Sequence, residues 1–296
     1  MKTCSPENTI VGFVGTGVMG APMASHLQKA GYTLYVHNRT ASRAQGLVDA
    51  GATFCDTPGE VAAKCDVTFA IVGFPPDVES VFLGESGIVA SAKPGSIVVD
   101  MTTSKPDLAK RIAEVAAEKS VMALDAPVSG SDIGAQNGML SIMVGGAQEA
   151  FDAIRPLLDL MGGNVVYQGP AGSGQHTKMA NQIAIASTML AMCESLTYAK
   201  HAGLDPETVL SSITKGAAGS WILNNWAPRA LKGDYEPGFF VKHFIKDMQI
   251  AIDSSEAMGI ETPGLKKAKA LYDQLASEGY GDKGIQVLKK AYDSED

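Results

Sequence analysis

Short β-branched runs alternate with helix-forming segments over roughly the first half of the chain, and this alternation restricts the fold more than any other feature. The predicted strands, from residue 9 to about residue 167, are TIVGFV, TLYVHN, ATFCD, VTFAIV, SIVVDM, VMALDA, LSIMVG and NVVYQG. Segments such as APMASHLQKAGY and DLAKRIAEVAAEKS, which lie between the runs, have helical composition. Strand, helix and strand in this rhythm predict an α/β fold with a mostly parallel, doubly wound sheet.

The pattern changes after Gly169. Residues 173–202 are predicted to form one long helix, and shorter helical segments without a competing strand pattern begin near residues 205, 219, 240, 262 and 284. A chain of 296 residues is long enough for two domains, each with its own core. We therefore predict an α/β domain over residues 1–168 and an all-α domain over residues 169–296, joined by the long helix.

Charge and composition exclude several classes of protein. The 24 Lys and Arg residues against 32 Asp and Glu leave a net charge of −8, which disfavours partners such as nucleic acid or an anionic membrane. The apolar runs are too short to cross a bilayer, and MKTCSPENT is unlike a signal peptide. The four cysteines and five histidines show no metal-ligand spacing. We expect a cytoplasmic protein that binds no metal, membrane or nucleic acid.

A glycine-rich loop follows the first predicted strand and opens a helix. A GxGxxG pattern alone often makes only a turn, but here it lies inside a strand–loop–helix unit, where the helix N-terminus attracts a pyrophosphate. The pattern therefore predicts a Rossmann-type domain that binds a dinucleotide. The residues expected to contact the cofactor are Gly15, Thr16, Gly17, Val18, Met19 and Gly20.

The end of the second predicted strand indicates which dinucleotide is bound. An NAD site expects a carboxylate there, but this chain has Asn38, followed by Arg39, Thr40 and Arg43. Amide and guanidinium donors suit a 2′-phosphate, although arginines at a solvated helix start are the alternative. We predict NADP as the cofactor, with NAD less favoured.

The long helix carries Lys178, Asn181 and Gln182 close together on one face, and Gly174 is expected to leave that face open. Hydride transfer to or from an alcohol carbon needs a general acid/base, and Lys178 is the candidate, the alternative being a lysine that extends into solvent. The Ser129–Gly130 stretch offers a hydroxyl and open N–H groups for a carboxylate, although a structural turn also uses Ser and Gly.

Four sequence motifs carry a resemblance to a known family. In chain order they are FVGTGVMGAPMASHL, DAPVSGSDIGAQNGMLSIMVGG, GSGQHTKMANQ and FIKDM. Together they resemble the β-hydroxyacid dehydrogenases over nearly the whole chain. The resemblance implies a homodimeric or homotetrameric oxidoreductase that interconverts a small carboxylate-bearing hydroxy acid and its semialdehyde. It also implies that the polar face of the long helix forms one wall of an active site between two domains.

The resemblance further implies roles for individual residues. Arg39 matches the residue associated with NADP preference, and Lys178 matches the catalytic lysine. Cofactor contacts are implied for Gly73, Phe74, Pro75, Thr103 and Lys246. Substrate contacts are implied for Thr103, Ser129, Gly130, Ser131, Asn181, Gln182, Phe239 and Asp247.

One position departs from the commoner family pattern, because Gln182 stands where many members have Asn. We expect Gln182 to make the substrate-side contact, which leaves the role of Asn181 open. Lys-x-x-Asn-Gln with Ala-Gly-Ser at 218–220 is similar to tartronate semialdehyde reductases, although Trp221 could shape a less polar pocket. The alternatives are 3-hydroxyisobutyrate dehydrogenase, or succinic semialdehyde or glyoxylate reductase. An imine reductase, a 6-phosphogluconate dehydrogenase relative and a non-catalytic NADPH-binding protein are less favoured.

Overall fold

A computed structural model describes residues 2–293 of the protein. The chain divides into two compact units, Met1–Lys178 and Met179–Asp296. The long helix Ser173–His201 (α9) runs through this division. The sequence placed the domain boundary before this helix, and the compact units divide within it.

The first unit alternates strands and helices along the chain. Its strands are β1 (Ile10–Val14), β2 (Thr33–His37), β3 (Thr53–Phe54), β4 (Val67–Ala70), β5 (Ile97–Asp100), β6 (Met122–Asp125), β7 (Val128–Ser129), β8 (Ser141–Gly146) and β9 (Asn164–Gly169). Its helices before α9 are α1 (Gly20–Lys29), α2 (Gln45–Asp49), α3 (Pro58–Lys64), α4 (Pro75–Leu83), α5 (Ile88–Ser91), α6 (Pro106–Glu118), α7 (Ser131–Gln136) and α8 (Gln148–Asp159). A 3₁₀ turn, Ala41–Ala44, precedes α2.

The strands form one sheet in the order β3-β2-β1-β4-β5-β6-β8-β7, and β9 pairs with β8. The pairs from β3 to β6 are parallel, as is β8 with β9, whereas β8 is antiparallel to both β6 and β7. This confirms the predicted doubly wound, mostly parallel fold. The sequence did not predict the two-residue strand β7. It lies along β8 beyond β6, after a break that contains Pro127, whose nitrogen cannot donate to the ladder.

Both faces of the sheet are covered. Val11 and Phe13 of β1 belong to one buried cluster, and Val14 belongs to another. The same division recurs in β5, where Ile97 and Val98 lie in different clusters. Strands buried on both faces appear in the sequence as continuous apolar runs, which is why the runs could be recognised.

The second unit is helical. After α9 come α10 (Pro206–Ile213), α11 (Trp221–Leu231), α12 (Val241–Ala257) and α13 (Pro263–Leu275), followed by a π turn (Ala276–Tyr280) and a 3₁₀ segment (Ile285–Ala291). The ring of Tyr272 packs edge-on against Phe244 at 5.2 Å, and its buried hydroxyl donates to the Ile285 carbonyl at 2.8 Å. Among residues 2–293, no helix is long and apolar enough to cross a membrane.

Candidate active site

The three glycines of the loop after β1 have different surroundings. Gly15 has a φ of +91°, and a Cβ there would lie 2.0 Å from the Ile71 carbonyl oxygen. A Cβ on Gly20 would lie 1.9 Å from the Gly15 oxygen, whereas one on Gly17 would meet no atom within 4 Å in the described chain. Gly15 is thus required by the tight turn, and Gly20 by the close packing of the start of α1 against that turn. Gly17 leaves the open approach that a dinucleotide pyrophosphate needs.

Asn38 ties this loop to the end of β2. Its Oδ1 accepts the Thr16 N–H at 2.9 Å, and its Nδ2 donates to the Thr40 carbonyl at 2.9 Å. The sequence predicts a cofactor contact for Asn38, but the oxygen and the nitrogen of its amide are each hydrogen-bonded to a backbone group. The side chain of Arg39 is 91% exposed, and its guanidinium lies 3.7 Å from the Asp77 carboxylate. Surface contacts of this kind contribute little to stability, so the guanidinium can move toward a ligand.

The loops after β4 and β5 are joined by backbone bonds to polar side chains. The Val72 N–H donates to the Thr102 hydroxyl at 2.9 Å, and the Thr102 N–H donates to the Asp100 carboxylate at 2.9 Å. In the loop after β4, the Phe74 N–H donates to the Asp77 carboxylate at 3.0 Å, and Phe74 directly precedes α4. Gly73, Phe74 and Thr103 therefore lie on loops that are held at the carboxyl edge of the sheet, and Pro75 begins the helix that follows the first of these loops.

Asp125 ends β6 and is buried. Its Oδ1 accepts the Gly172 N–H and its Oδ2 accepts the Gln175 N–H, both at 2.8 Å. Burial raises the pKa of this carboxyl from 3.8 to about 6, and the N–H bonds from Gly172 and Gln175 oppose that rise. Sequence reasoning missed Asp125 and Gln175. A charged residue closing an apolar strand was the available signal.

Lys178 is buried, and its ammonium donates to the Val128 carbonyl at 2.8 Å. Val128 directly precedes Ser129, Gly130 and Ser131, and the last two have φ values of 138° and 59°. The structure thus places Lys178 beside the stretch expected to receive a carboxylate, and the side chain does not extend into solvent.

The expectation that Gly174 leaves the helix face open is wrong. A Cβ at this position would lie 2.4 Å from the carbonyl oxygens of Asp125 and Met143. The backbone of β6 and β8 already fills the space in front of Gly174. The glycine therefore allows α9 to approach the sheet and leaves no room for a nicotinamide.

The second unit contains a separate polar cluster. The Gln182 amide is fully buried, accepting from Asn181 Nδ2 at 2.7 Å and donating to the Asp247 carboxylate at 2.7 Å. The other oxygen of Asp247 pairs with the Lys246 ammonium at 2.9 Å. The ring of Phe239 packs against Phe244 of the helical core, with the ring centroids 5.5 Å apart and the ring planes tilted by 58°. Both ends of the Gln182 amide are therefore engaged within this unit.

The predicted site residues thus fall into two groups. The first unit holds the glycine loop, Asn38 to Thr40, Gly73 to Pro75, Thr103, Ser129 to Ser131 and Lys178. The second unit holds Asn181, Gln182, Phe239, Lys246 and Asp247. Over residues 2–293, no group of three or more His, Cys, Asp or Glu side chains is placed to hold a metal ion.

Comparison with known proteins gives matches along both units. Residues 10–169 match the family model for the NAD binding domain of 6-phosphogluconate dehydrogenase, and residues 172–292 match that for the NAD-binding region of NADP-dependent 3-hydroxyisobutyrate dehydrogenase. An uncharacterised oxidoreductase of Bacillus subtilis, YkwC, is 56% identical over 95% of this chain and 98% of its own. The 2-hydroxy-3-oxopropionate reductase of Escherichia coli is 38% identical over 91% of this chain and 92% of its own.

Among solved structures, Mycobacterium tuberculosis 3-hydroxyisobutyrate dehydrogenase with L-serine is similar, with a TM-score of 0.88 and 27% identity over 96% of this chain and 98% of that one. Fold, glycine loop and matches define an oxidoreductase that uses a nicotinamide cofactor. The chain belongs to the β-hydroxyacid dehydrogenase family, whose members are NAD(P)-dependent enzymes that act on CH–OH groups. The family predicted from the sequence is confirmed.

Proposed function

We propose that the protein interconverts a small β-hydroxy acid and its semialdehyde, with NADP(H) as cofactor and Lys178 as general acid/base. The observation that carries this proposal is the buried Lys178 ammonium, held 2.8 Å from the Val128 carbonyl beside the Ser129–Ser131 turn. A substrate whose carboxylate binds that turn would bring the oxygen on its reacting carbon to the ammonium.

In the direction of reduction, the carbonyl carbon must gain a hydride and its oxygen a proton. A nicotinamide cofactor, when bound, would supply that hydride. Lys178 gives the proton to the carbonyl oxygen and becomes a neutral amine, which is reprotonated from solvent before the next turnover. In oxidation the same amine accepts the hydroxyl proton. The Val128 carbonyl accepts a hydrogen bond from the ammonium and so orients it.

For the cofactor, we propose Gly15 to Gly20 as the pyrophosphate site and Arg39 with Thr40 as the 2′-phosphate site. The open space at Gly17 and the exposed guanidinium of Arg39 support this assignment. Arg39→Ala should lower the NADPH-to-NADH ratio of kcat/KM by about 10-fold or more, because a charge-assisted bidentate contact is lost. Arg155→Ala, which removes an exposed ion pair with Asp159, is the matched control and should leave the ratio unchanged.

For the substrate, we propose that the Ser129 hydroxyl and the N–H groups of Gly130 and Ser131 receive the carboxylate. Backbone with positive φ turns successive N–H groups toward one anion. Tartronate semialdehyde is the favoured substrate, because the Lys-x-x-Asn-Gln pattern and Ala-Gly-Ser at 218–220 accompany the likeness to 2-hydroxy-3-oxopropionate reductase. Methylmalonate semialdehyde, succinic semialdehyde and glyoxylate are the alternatives.

The second unit is proposed to supply Asn181, Phe239 and Lys246 to substrate and cofactor. Gln182, which the sequence favoured for direct contact, is proposed to act with Asp247 by holding the Asn181 amide in place. Its own donor and acceptor are occupied by those two neighbours, which supports the change of role.

The deciding experiment measures NADPH oxidation with tartronate semialdehyde, succinic semialdehyde, glyoxylate, methylmalonate semialdehyde and an aldehyde without a carboxylate. Strong turnover confined to acid aldehydes supports the carboxylate site. Lys178→Ala should lower kcat by about 100-fold or more, while the NADPH Kd measured by fluorescence changes little. Normal turnover in that variant refutes the assignment. Tight NADPH binding with no turnover of any aldehyde favours an imine reductase or a non-catalytic protein.

We also propose a cytoplasmic homodimer or homotetramer. The four cysteines are free thiols, which suits a reducing compartment. The support for this assembly is the family to which the chain belongs, since a single exposed residue such as Tyr198 on α9, which is 76% exposed, is ordinary on a protein surface. Size-exclusion chromatography with light scattering tests the assembly, and a monomeric mass refutes it.

A further inference from the structure

We propose that Asp125 and Gln175 are positioning residues that fix the first turn of α9 on the sheet and thereby set the place of Lys178. This inference rests on the proposed role of Lys178. Neither residue is proposed to touch substrate or cofactor.

Asp125 holds the open end of the helix. The first N–H groups of a helix lack partners within it, and two such groups, on Gly172 and Gln175, donate to the two oxygens of this one carboxylate. A negative charge at this end is also favoured by the helix dipole. Because each oxygen takes a different N–H, the carboxylate restrains both rotation and translation of the first turn.

Gln175 joins the same turn to the loop after β5. Its Nε2 donates to the Thr102 carbonyl at 2.7 Å, and its Oε1 accepts the Ser104 N–H at 2.9 Å. The side chain is fully buried. These two bonds lie on either side of Thr103, so the residue for which the family resemblance implies cofactor and substrate contacts is held by the helix that carries the proposed acid/base.

Lys178 lies one turn beyond Gln175. Three residues along a helix correspond to an axial distance of roughly 4.5 Å. Over so short a distance the helix moves as one body, so any shift of its first turn moves the backbone of Lys178 with it. The acceptor of its ammonium, Val128, lies three residues after Asp125 in the same short stretch. One short segment of chain therefore binds the first turn of α9 through Asp125 and the Lys178 ammonium through the Val128 carbonyl.

Gly174 limits how closely the first turn of α9 can approach the sheet. Its backbone lies so close to the carbonyl oxygens of Asp125 and Met143 that a Cβ would come within 2.4 Å of each. The helix cannot approach further, and the Asp125 and Gln175 bonds prevent it from moving away. Burial raises the pKa of Asp125 to about 6, so the group still accepts as a carboxylate at neutral pH.

A double-mutant cycle with Asp125→Asn and Lys178→Ala tests the proposal on the full chain. The amide keeps the shape of the carboxylate but presents a donor to one of the two N–H groups. We expect Asp125→Asn to lower kcat by about 10- to 100-fold, with the NADPH Kd from fluorescence titration within about 2-fold of wild type. In the Lys178→Ala background, the same substitution should lower the residual kcat by less than about 2-fold, because the two residues act as one unit. Multiplicative losses overturn the proposal.

Asp66→Asn is the matched control, since Asp66 accepts the Ile10 N–H at 2.8 Å in the same unit and lies directly before β4. It should leave kcat unchanged. Should Asp125→Asn not fold, Gln175→Glu replaces it in the cycle, because Glu keeps the acceptor for Ser104 and loses the donor to Thr102. The criteria stay the same.

The outcomes separate this inference from the proposed function. If Lys178→Ala turns over normally, the assignment of the acid/base fails, whatever Asp125 does. If Lys178→Ala is inactive and Asp125→Asn has a normal kcat, only the positioning role of Asp125 is refuted.

Discussion

Alanine at position 174 should displace α9 from the sheet. The new Cβ would lie 2.4 Å from two carbonyl oxygens and 2.9 Å from the Asp125 carboxylate. The two carbonyl oxygens belong to the backbone of β6 and β8 and cannot rotate away. The helix must therefore shift by about 1 Å to restore ordinary contact distances.

The expected loss follows from two opposing effects. Alanine favours a helix over glycine by about 1 kcal/mol. Overpacking of a buried contact costs about 1–3 kcal/mol, and more where only backbone can move. We expect Gly174→Ala to lower the free energy of unfolding by about 1–2 kcal/mol, which corresponds to a fall in the unfolding midpoint of roughly 2–8 °C. Because Lys178 moves with the helix, kcat should fall by about 100-fold.

Gly46→Ala is the matched comparison. Gly46 also lies in a helix, but a Cβ there meets no described atom within 4 Å. The same chemical change should therefore raise the free energy of unfolding by about 0.5–1 kcal/mol and leave kcat unchanged. Thermal unfolding followed by circular dichroism, with kcat measured on the same preparations, compares the two variants. A Gly174→Ala midpoint equal to or above that of Gly46→Ala refutes the packing argument.

Three further predictions concern the first unit. Gly17→Ala should keep the unfolding midpoint of the free protein and weaken NADPH binding, whereas Gly20→Ala should lower the midpoint, since its Cβ would meet the Gly15 oxygen at 1.9 Å. Burial raises the folded-state pKa of Asp125 from 3.8 to about 6. The contribution of this pKa shift to the free energy of unfolding, up to roughly 3 kcal/mol, is present below about pH 4 and lost as the pH rises through 6. Urea unfolding from pH 4 to 8 should show wild type losing stability relative to Asp125→Asn, and a difference independent of pH contradicts this. Ser131→Gly should stabilise the protein by about 1 kcal/mol, because Ser131 has a φ of 59°, and should leave the KM for the acid aldehyde unchanged, because glycine keeps the N–H that is proposed to receive the carboxylate. A raised KM contradicts a contact made by the backbone alone.

The sheet and the long helix were predictable because their signals are local. Strands buried on both faces leave continuous apolar runs, and α9 (Ser173–His201) is rich in helix-forming residues and contains no proline. β7 was missed because two residues carry no periodicity. Its existence depends on pairing with β8, which lies about a dozen residues further along the chain.

The site was predictable where a short stretch of sequence contains the chemistry. The glycines after β1 have the conformation and surroundings that their spacing implied. Gly174 was misinterpreted, because helical spacing shows which residues share a face but not what lies in front of it. Asn38 was assigned to the cofactor because it follows the second strand directly. Its amide oxygen accepts the Thr16 N–H of the glycine loop, and its amide nitrogen donates to the Thr40 carbonyl.

The contacts that Asp125 and Gln175 make could not be found from the sequence. These contacts join residues 47 to 73 positions apart and exist only because β6 brings its carboxyl end to the start of α9. The Gln182–Asp247 bond likewise spans 65 positions. Helices, strands and the phosphate loop depend on interactions within a few residues, so the linear order of residue types specifies them. Which buried polar group meets which partner depends on strand register and helix packing, and those distances are set only when the chain has folded.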